Sequence, residues 1–297
     1  MTSVAALVAL LAAPAPPAPE TFPWPGGARA ALSLSFDDAR QSQVDTGLAV
    51  LDAHGVKVTF FVVPGAVEER LEGWKRAVSA GHEIGNHSLI HPCSGNFAFA
   101  RHKALEGYTY KRMRRELRDA SARVKALLGV TPQAFAYPCG QTFVGSGRGT
   151  RSYVPAVAEM FVAGRGWLAE VPHDPRAGDL AQVMGVEMDG KDFEEIRPLL
   201  DRARETSGWL VLGGHEIGEG GRQTTRVAML RQLLPYVLDR TNGFWVAPVG
   251  TVARHIRGSQ RRAHSGASGR GRSAHARAWG PRSGTLPRHP SEQGDKR

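Results

Sequence analysis

Between about residues 29 and 257, short apolar runs alternate with longer amphipathic segments. Residues 31–36 alternate apolar and polar with period two, the signature of a strand, and run into Asp37-Asp38. Residues 45–54 read as a helix. Residues 56–63 are β-branched and aromatic, a second strand that Pro64-Gly65 stops. A helix over 67–80 follows, with Gly81 placed as a C′ glycine. Residues 82–87 form a short strand, and 92–110 lack periodicity and read as a long loop. The pattern then predicts a helix over 111–129, a strand over 134–137, a Gly-rich loop over 140–149 and a helix over 153–160. Strands over 161–163 and 182–188 come next, then a helix over 192–206 with Asp192 near its cap. A buried strand at 210–212, a helix over 224–239, a strand at 244–247 and a helix over 249–256 complete the series. Seven or eight β-then-α units in one domain predict an α/β fold, a distorted parallel (β/α) barrel of seven or eight strands.

Composition changes that picture mainly at the ends. The chain has 297 residues, of which 41% are hydrophobic, enough for a sizeable core. The net charge of +10 resembles a nucleic-acid signal, but residues 258–297 carry +7 of it and the body only +3. The basicity therefore belongs to a tail, and no specific nucleic-acid partner is expected. That tail is rich in Gly, Ser and Arg, nearly free of large apolar residues, and reads as disordered. Loose attraction to anionic polymers or lipids and a plain solvated extension are both open for it. Residues 4–13 are an apolar run too short to span a bilayer, followed by a Pro-rich stretch. They resemble a signal-peptide core, although Met1-Thr2-Ser3 carries no basic side chain. The expected location is secreted or envelope, with cytoplasmic as the alternative, and no transmembrane segment is expected. The expected organisation is a leader and linker over 1–28, a catalytic domain over 29–257 and the basic tail over 258–297.

The chemistry-bearing residues lie just after predicted strands: Asp37-Asp38, His87 and His91, Pro138-Cys139, and His215. The C-terminal face of a parallel barrel is where sites assemble. A carboxylate and two imidazoles make an open three-ligand site for one divalent metal such as zinc. A second carboxylate then remains as base and a third histidine as acid, the parts of metal-assisted hydrolysis. Each signal alone has a plain structural reading. Aspartates favour turns and caps, histidines four apart arise by chance, and a histidine after a strand often serves packing. The Gly-rich loop lacks the Gly-Lys-Ser/Thr ending of a phosphate loop and reads as a rim.

Together these segments resemble the polysaccharide deacetylase family, carbohydrate esterase family 4, over most of residues 29–257. Ser35-Phe36-Asp37-Asp38 is similar to its Thr-Phe-Asp-Asp motif, which implies Asp37 as catalytic base and Asp38 as metal ligand. Asn86-His87-Ser88 through His91 is similar to its His-Ser/Thr-x-x-His motif, which implies His87 and His91 as the other ligands. Phe135 through Gly140 resembles Phe-Arg-x-Pro-Tyr-Gly, where the residue after proline, here Cys139, offers its backbone N–H to an oxyanion. Residues 210–215 resemble the late Leu-x-Leu-x-His segment, which implies His215 as general acid. The sequence departs from the family at Ala136, where the motif has an arginine; Arg148, Arg151 and Arg165 are candidates to replace it. No clear fourth motif is present, and Glu187 or Asp189 could orient His215, as could Glu216. The implied reaction is removal of N- or O-linked acetyl groups from an acetylated polysaccharide or oligosaccharide. An amide or imide hydrolase on the same barrel and a non-catalytic glycan binder are the alternatives.

Cys93 and Cys139, the only cysteines, are both expected on loops at the catalytic face. With a leader that hints at an oxidising compartment, they are expected to form a disulfide tying the metal loop to the oxyanion loop. Two buried free thiols or an extra thiol ligand are the alternatives.

Overall fold

The computed structural model describes the backbone of residues 21–272 and the side chains of residues 21–262. The chain divides into a compact unit ending at Arg257 and a second unit from Gly258. In chain order the first unit runs β1 (Ala30–Asp37), α1 (Leu48–Ala53), β2 (Thr59–Val62), α2 (Pro64–Glu68), α3 (Leu71–Ser79) and β3 (Glu83–Asn86). It continues with α4 (Tyr110–Leu128), β4 (Ala134–Ala136), β5 (Phe143–Val144), β6 (Arg151–Ser152), α5 (Val154–Met160) and β7 (Ala163–Arg165). Then come β8 (Val186–Glu187), α6 (Phe193–Thr206), β9 (Trp209–Gly214), β10 (Glu216–Gly218), β11 (Thr224–Arg226), α7 (Val227–Leu238) and β12 (Phe244–Val246). The last helix is α8 (Val249–Arg272).

The main sheet is parallel throughout, in the order β7-β4-β3-β2-β1-β9-β8, with β12 also on β1. A bridge between Arg165 and Val183 brings the two ends of that path together. This is the distorted (β/α) barrel of seven to eight strands that the alternating pattern predicts. Period two in β1 explains its place at the centre. Leu32, Leu34 and Phe36 pack into the cluster shared with the helices, including Leu48, Trp74 and Leu230. The alternate positions Ser33 and Ser35 face inward, bond the Ala247 and Leu212 carbonyls, and lead to Asp37 at the strand's C-terminal end. The chain enters this barrel at its other end: the Phe22 N–H and the Trp24 indole both donate to Ser207, just before β9.

Several boundaries differ from the sequence pattern. The helix expected over 45–54 begins as a π-turn at Gln43–Gly47 before α1, and the one over 67–80 divides into α2 and α3 at Arg70, whose φ of −137° is not helical. Pro64 ends a strand and also starts α2, where its missing N–H costs nothing. The strand expected at 161–163 is shifted to 163–165, which draws Arg165 into the sheet. Residues 224–226, expected as helix, pair with β10 instead. The tail was expected to be disordered from Gly258, yet α8 continues helical to Arg272. Extending a helix already nucleated adds one bond per residue without the nucleation penalty, which is why a Gly-rich composition alone misleads here. Residues 1–20 of the leader and 273–297 of the tail lie outside the described residues. Among the described residues no helix is long and apolar enough to cross a membrane.

Candidate active site

β1 ends on Asp37, and the chain turns at once through Asp38 and Ala39, both in the left-handed region (φ 73° and 56°). Asp38 Oδ1 lies 3.5 Å from His87 Nε2 and 3.4 Å from His91 Nε2, while Oδ2 accepts from the Arg40 guanidinium at 2.9 Å. Both histidines follow β3, which Asn86 ties to α4 through the Leu117 carbonyl and Ser121. The Asn86 side chain accepts from the Ser88 N–H, and the Ser88 hydroxyl from the His91 N–H. Nδ1 of His87 is 2.9 Å from the Ala136 carbonyl, which can only accept. The proton therefore sits on Nδ1 and leaves the Nε2 lone pair facing Asp38, the tautomer a metal requires. One oxygen and two ring nitrogens lie within 4.8 Å of one another, and this donor set fits a divalent ion of the zinc type. Burial raises the Asp38 pKa, but the hydrogen bond from His87 and the charges that His87, His91 and His215 carry when protonated outweigh it and hold the carboxyl well below its ordinary value. His91 is pushed down to about 4, by burial first and by the charge of His87 second. A carboxylate and a neutral imidazole are the ligand forms.

Asp37 points its other way. Its Oδ1 is bonded by Nη2 of Arg165, a pair whose two side chains are both buried. β4 and β7 place Ala136 directly opposite Arg165, whose guanidinium reaches Asp37 beside the rings of Phe61 and Trp167. Gly185 is required for this, because a Cβ there would meet Arg165 Cδ at 2.4 Å. Gln43 joins the two ends of the site, donating to the carbonyls of both Asp37 (2.7 Å) and His215 (2.8 Å).

His215 follows β9. Its Nδ1 is 2.7 Å from Asp189 Oδ2, and Asp189 Oδ1 accepts from the His215 N–H and the Thr225 hydroxyl. Gly214 makes room for that network, since a Cβ there would meet Thr225 Oγ1 at 2.1 Å. Burial lowers the His215 pKa, but the Asp189 hydrogen bond and the charges of Asp37, Asp38 and Asp189 together leave it above the ordinary histidine value. Trp167 packs edge-on against the imidazole at 5.0 Å.

The structure thus brings Asp37, Asp38, His87, His91, Cys139 and His215 onto one cavity of about 1020 Å³. Cys139 is bonded to Cys93, with a Cα–Cα distance of 6.0 Å, so neither is a free thiol. Of the eight non-glycine residues with positive φ among the described residues, six line the cavity, Asp38, Ala39, His91, Cys139, Leu168 and Gln223, and a seventh, Ser88, directly follows His87. Such backbone is sparsely populated elsewhere and gathers where the fold holds chemical groups in place. Of the three arginines considered for the gap at Ala136, Arg165 is the one at Asp37; of the acids considered for His215, Asp189 is the one in contact. Glu216 instead accepts from Ser42. Arg40, Gln43, Trp167 and Thr225 carry no motif and were not singled out by the sequence. Only the period-two spacing of Arg165 and Trp167 hints that they share a face.

Residues 26–148, which include both aspartates, both histidines and Cys139, match the sequence profile of a family described as polysaccharide deacetylase. Over that segment the chain is similar to the family. A gellan lyase of a Bacillus species is 25% identical over 259 residues, 78% of this chain and 10% of that protein. The peptidoglycan-N-acetylglucosamine deacetylase of Listeria monocytogenes is 42% identical over 62 residues, 20% of this chain and 13% of that protein. The chain thus spans about a tenth of the length of these curated relatives. A crystal structure from Mycobacterium smegmatis, assigned to the polysaccharide deacetylases, aligns over 91% of this chain and 99% of its own with a TM-score of 0.62. At 20% identity that likeness shows the shared fold. Against the motif that residues 135–140 resemble, this chain has Ala136, and Arg165 stands opposite it on β7.

Proposed function

We propose that this chain is a metal-dependent hydrolase that removes acetyl groups from a polysaccharide. The observation that carries the reading is the convergence of three units in one cavity: the Asp38–His87–His91 donor set, the Asp37–Arg165 pair and the His215–Asp189 pair. Asp38, His87 and His91 would hold one divalent ion, zinc by donor type; bound there it supplies Lewis acidity toward a carbonyl and a water. Asp37, oriented by Arg165, accepts the proton of the attacking water. The Cys139 N–H donates to the oxyanion that develops on the acetyl carbonyl. His215, kept protonated by Asp189, donates to the leaving amine or alcohol. A carbohydrate substrate is supported by the rim. Of six exposed large hydrophobic side chains among the described residues, Phe97 (41% exposed), Phe99 (55%) and Leu168 (64%) line this cavity. Exposed apolar side chains grouped at a cleft offer flat faces for sugar rings. A secreted or envelope location fits the formed disulfide and the apolar run at residues 4–13.

The test is acetate release from acetylated chitin, peptidoglycan and xylan fragments by protein stripped with a chelator and reloaded with zinc. Release that depends on the metal, and that Asp37→Asn abolishes while still binding zinc, is expected. Absence of acetate from every fragment with zinc bound would overturn the reading.

A further inference from the structure

The His91 ring faces two donor groups at once. Its Nε2 looks toward Asp38, while its Nδ1 lies 3.7 Å from Cys93 Sγ. Nδ1 of His91 and the sulfurs of Cys93 and Cys139 form a second group of ligand atoms, all within 4.8 Å of one another. With the bridge closed the sulfurs are spent on each other. We infer that the Cys93–Cys139 disulfide masks a soft-metal site, and that reduction opens it to a thiophilic divalent cation held by His91, Cys93 and Cys139.

The two sulfurs differ in access. Cys93 is fully buried, whereas Cys139 is partly exposed and lines the cavity. A dithiol reductant entering the cavity therefore attacks Cys139. A sulfur–sulfur bond forms between reductant and Cys139, the Cys93–Cys139 bond breaks, and Cys93 leaves with the pair of electrons and takes a proton. The reductant's second thiol then displaces Cys139 and departs as its own disulfide, so that two electrons and two protons have passed to the protein. Each cysteine releases its proton on binding the cation. Two thiolates and an imidazole are a tighter donor set for zinc-like ions than one carboxylate and two imidazoles, by the preference of such ions for sulfur. Neutral imidazole has one lone pair, so His91 cannot serve both ions. Loading the sulfur site takes a nitrogen from the Asp38–His87–His91 set, and the redox state of the bridge decides where His91 is spent.

Cobalt(II) titration of the full chain tests this, in the oxidised form and after reduction with a dithiol that is removed under anaerobic conditions. The reduced protein is expected to show a near-ultraviolet thiolate-to-cobalt charge-transfer band that the oxidised protein lacks. The band should be lost in Cys93→Ser and in Cys139→Ser, and weakened in His91→Ala, with circular dichroism confirming that each variant is folded. No such band in the reduced wild-type chain overturns the inference, as does a band of full strength in folded His91→Ala. Cobalt bound by the oxidised protein has no thiolate available and reports the Asp38 set alone, so the two assignments fail separately.

Discussion

Arg165→Met is the perturbation that most directly probes how this site is held together. Methionine keeps much of the stem that packs beside Phe61 and Trp167, whose rings lie 5.2 and 5.3 Å from the guanidinium carbon, and removes only the charge and its hydrogen bonds. Arg165 and Asp37 are both buried, their side chains 0% and 5% exposed. Breaking such a pair by deleting one partner costs about 3–5 kcal/mol, because the other charge stays buried without compensation. At about 2–4 °C per kcal/mol for a domain of this size, the melting temperature should fall by roughly 6–20 °C. Urea and thermal melts in the presence of chelator measure this without a contribution from bound metal. Asp37→Asn supplies the second corner of a double-mutant cycle. The double variant should recover much of the loss, giving a coupling of about 2–3 kcal/mol. A cost for Arg165→Met below about 1 kcal/mol, or strictly additive single effects, would refute the assignment of Arg165 as the group that holds Asp37.

Asp189→Asn removes the hydrogen bond and one of the charges that keep the His215 pKa above its ordinary value, leaving burial to pull it down. As the proposed acid, His215 must be protonated to donate, so the alkaline limb of the pH–rate profile should move to lower pH, and an unmoved limb would assign the acid elsewhere. The same raised pKa means that protonated His215 stabilises the fold below the ordinary histidine value of 6.5, a contribution lost as pH rises through the folded-state pKa. The variant should therefore lose stability mainly on the acidic side, as melts across pH would record. Phe99→Ala should raise KM for acetylated oligosaccharides about two- to tenfold and leave turnover of a small aryl acetate unchanged; equal effects on both substrates would remove Phe99 from sugar binding.

The candidate site was legible in the sequence wherever a chemical residue directly follows an apolar run. Asp37, His87 and His215 stand at the ends of β1, β3 and β9, and a strand is easy to see when its residues alternate or run apolar. The groups that orient them were not, because they sit on elements too short to show a period. β7 has three residues and β8 two, so the pattern could narrow the missing arginine to three positions but not choose Arg165. Asp189 lies beyond β8 and meets His215 through a turn that sequence spacing does not encode. Trp167 and Gln43 act through contacts between segments 48 and 172 residues apart, at Trp167–His215 and Gln43–His215 respectively, and such distances carry no local signal. The disulfide could be anticipated because two cysteines allow one pairing, and the barrel topology put both on one face.

The docking of Phe22 and Trp24 against Ser207 has a practical consequence for handling the molecule. Ser207 precedes β9, whereas Asp37, His87 and His215 follow the strands, so the chain enters at the floor and the chemistry opens at the roof. A bead, probe tip or fusion partner attached ahead of Phe22 leaves the mouth of the cavity pointing outward. The same attachment on the rim, near Phe97 or Leu168, would plug it. Immobilised through its floor, the chain keeps that cavity open to molecules too large to diffuse into a gel.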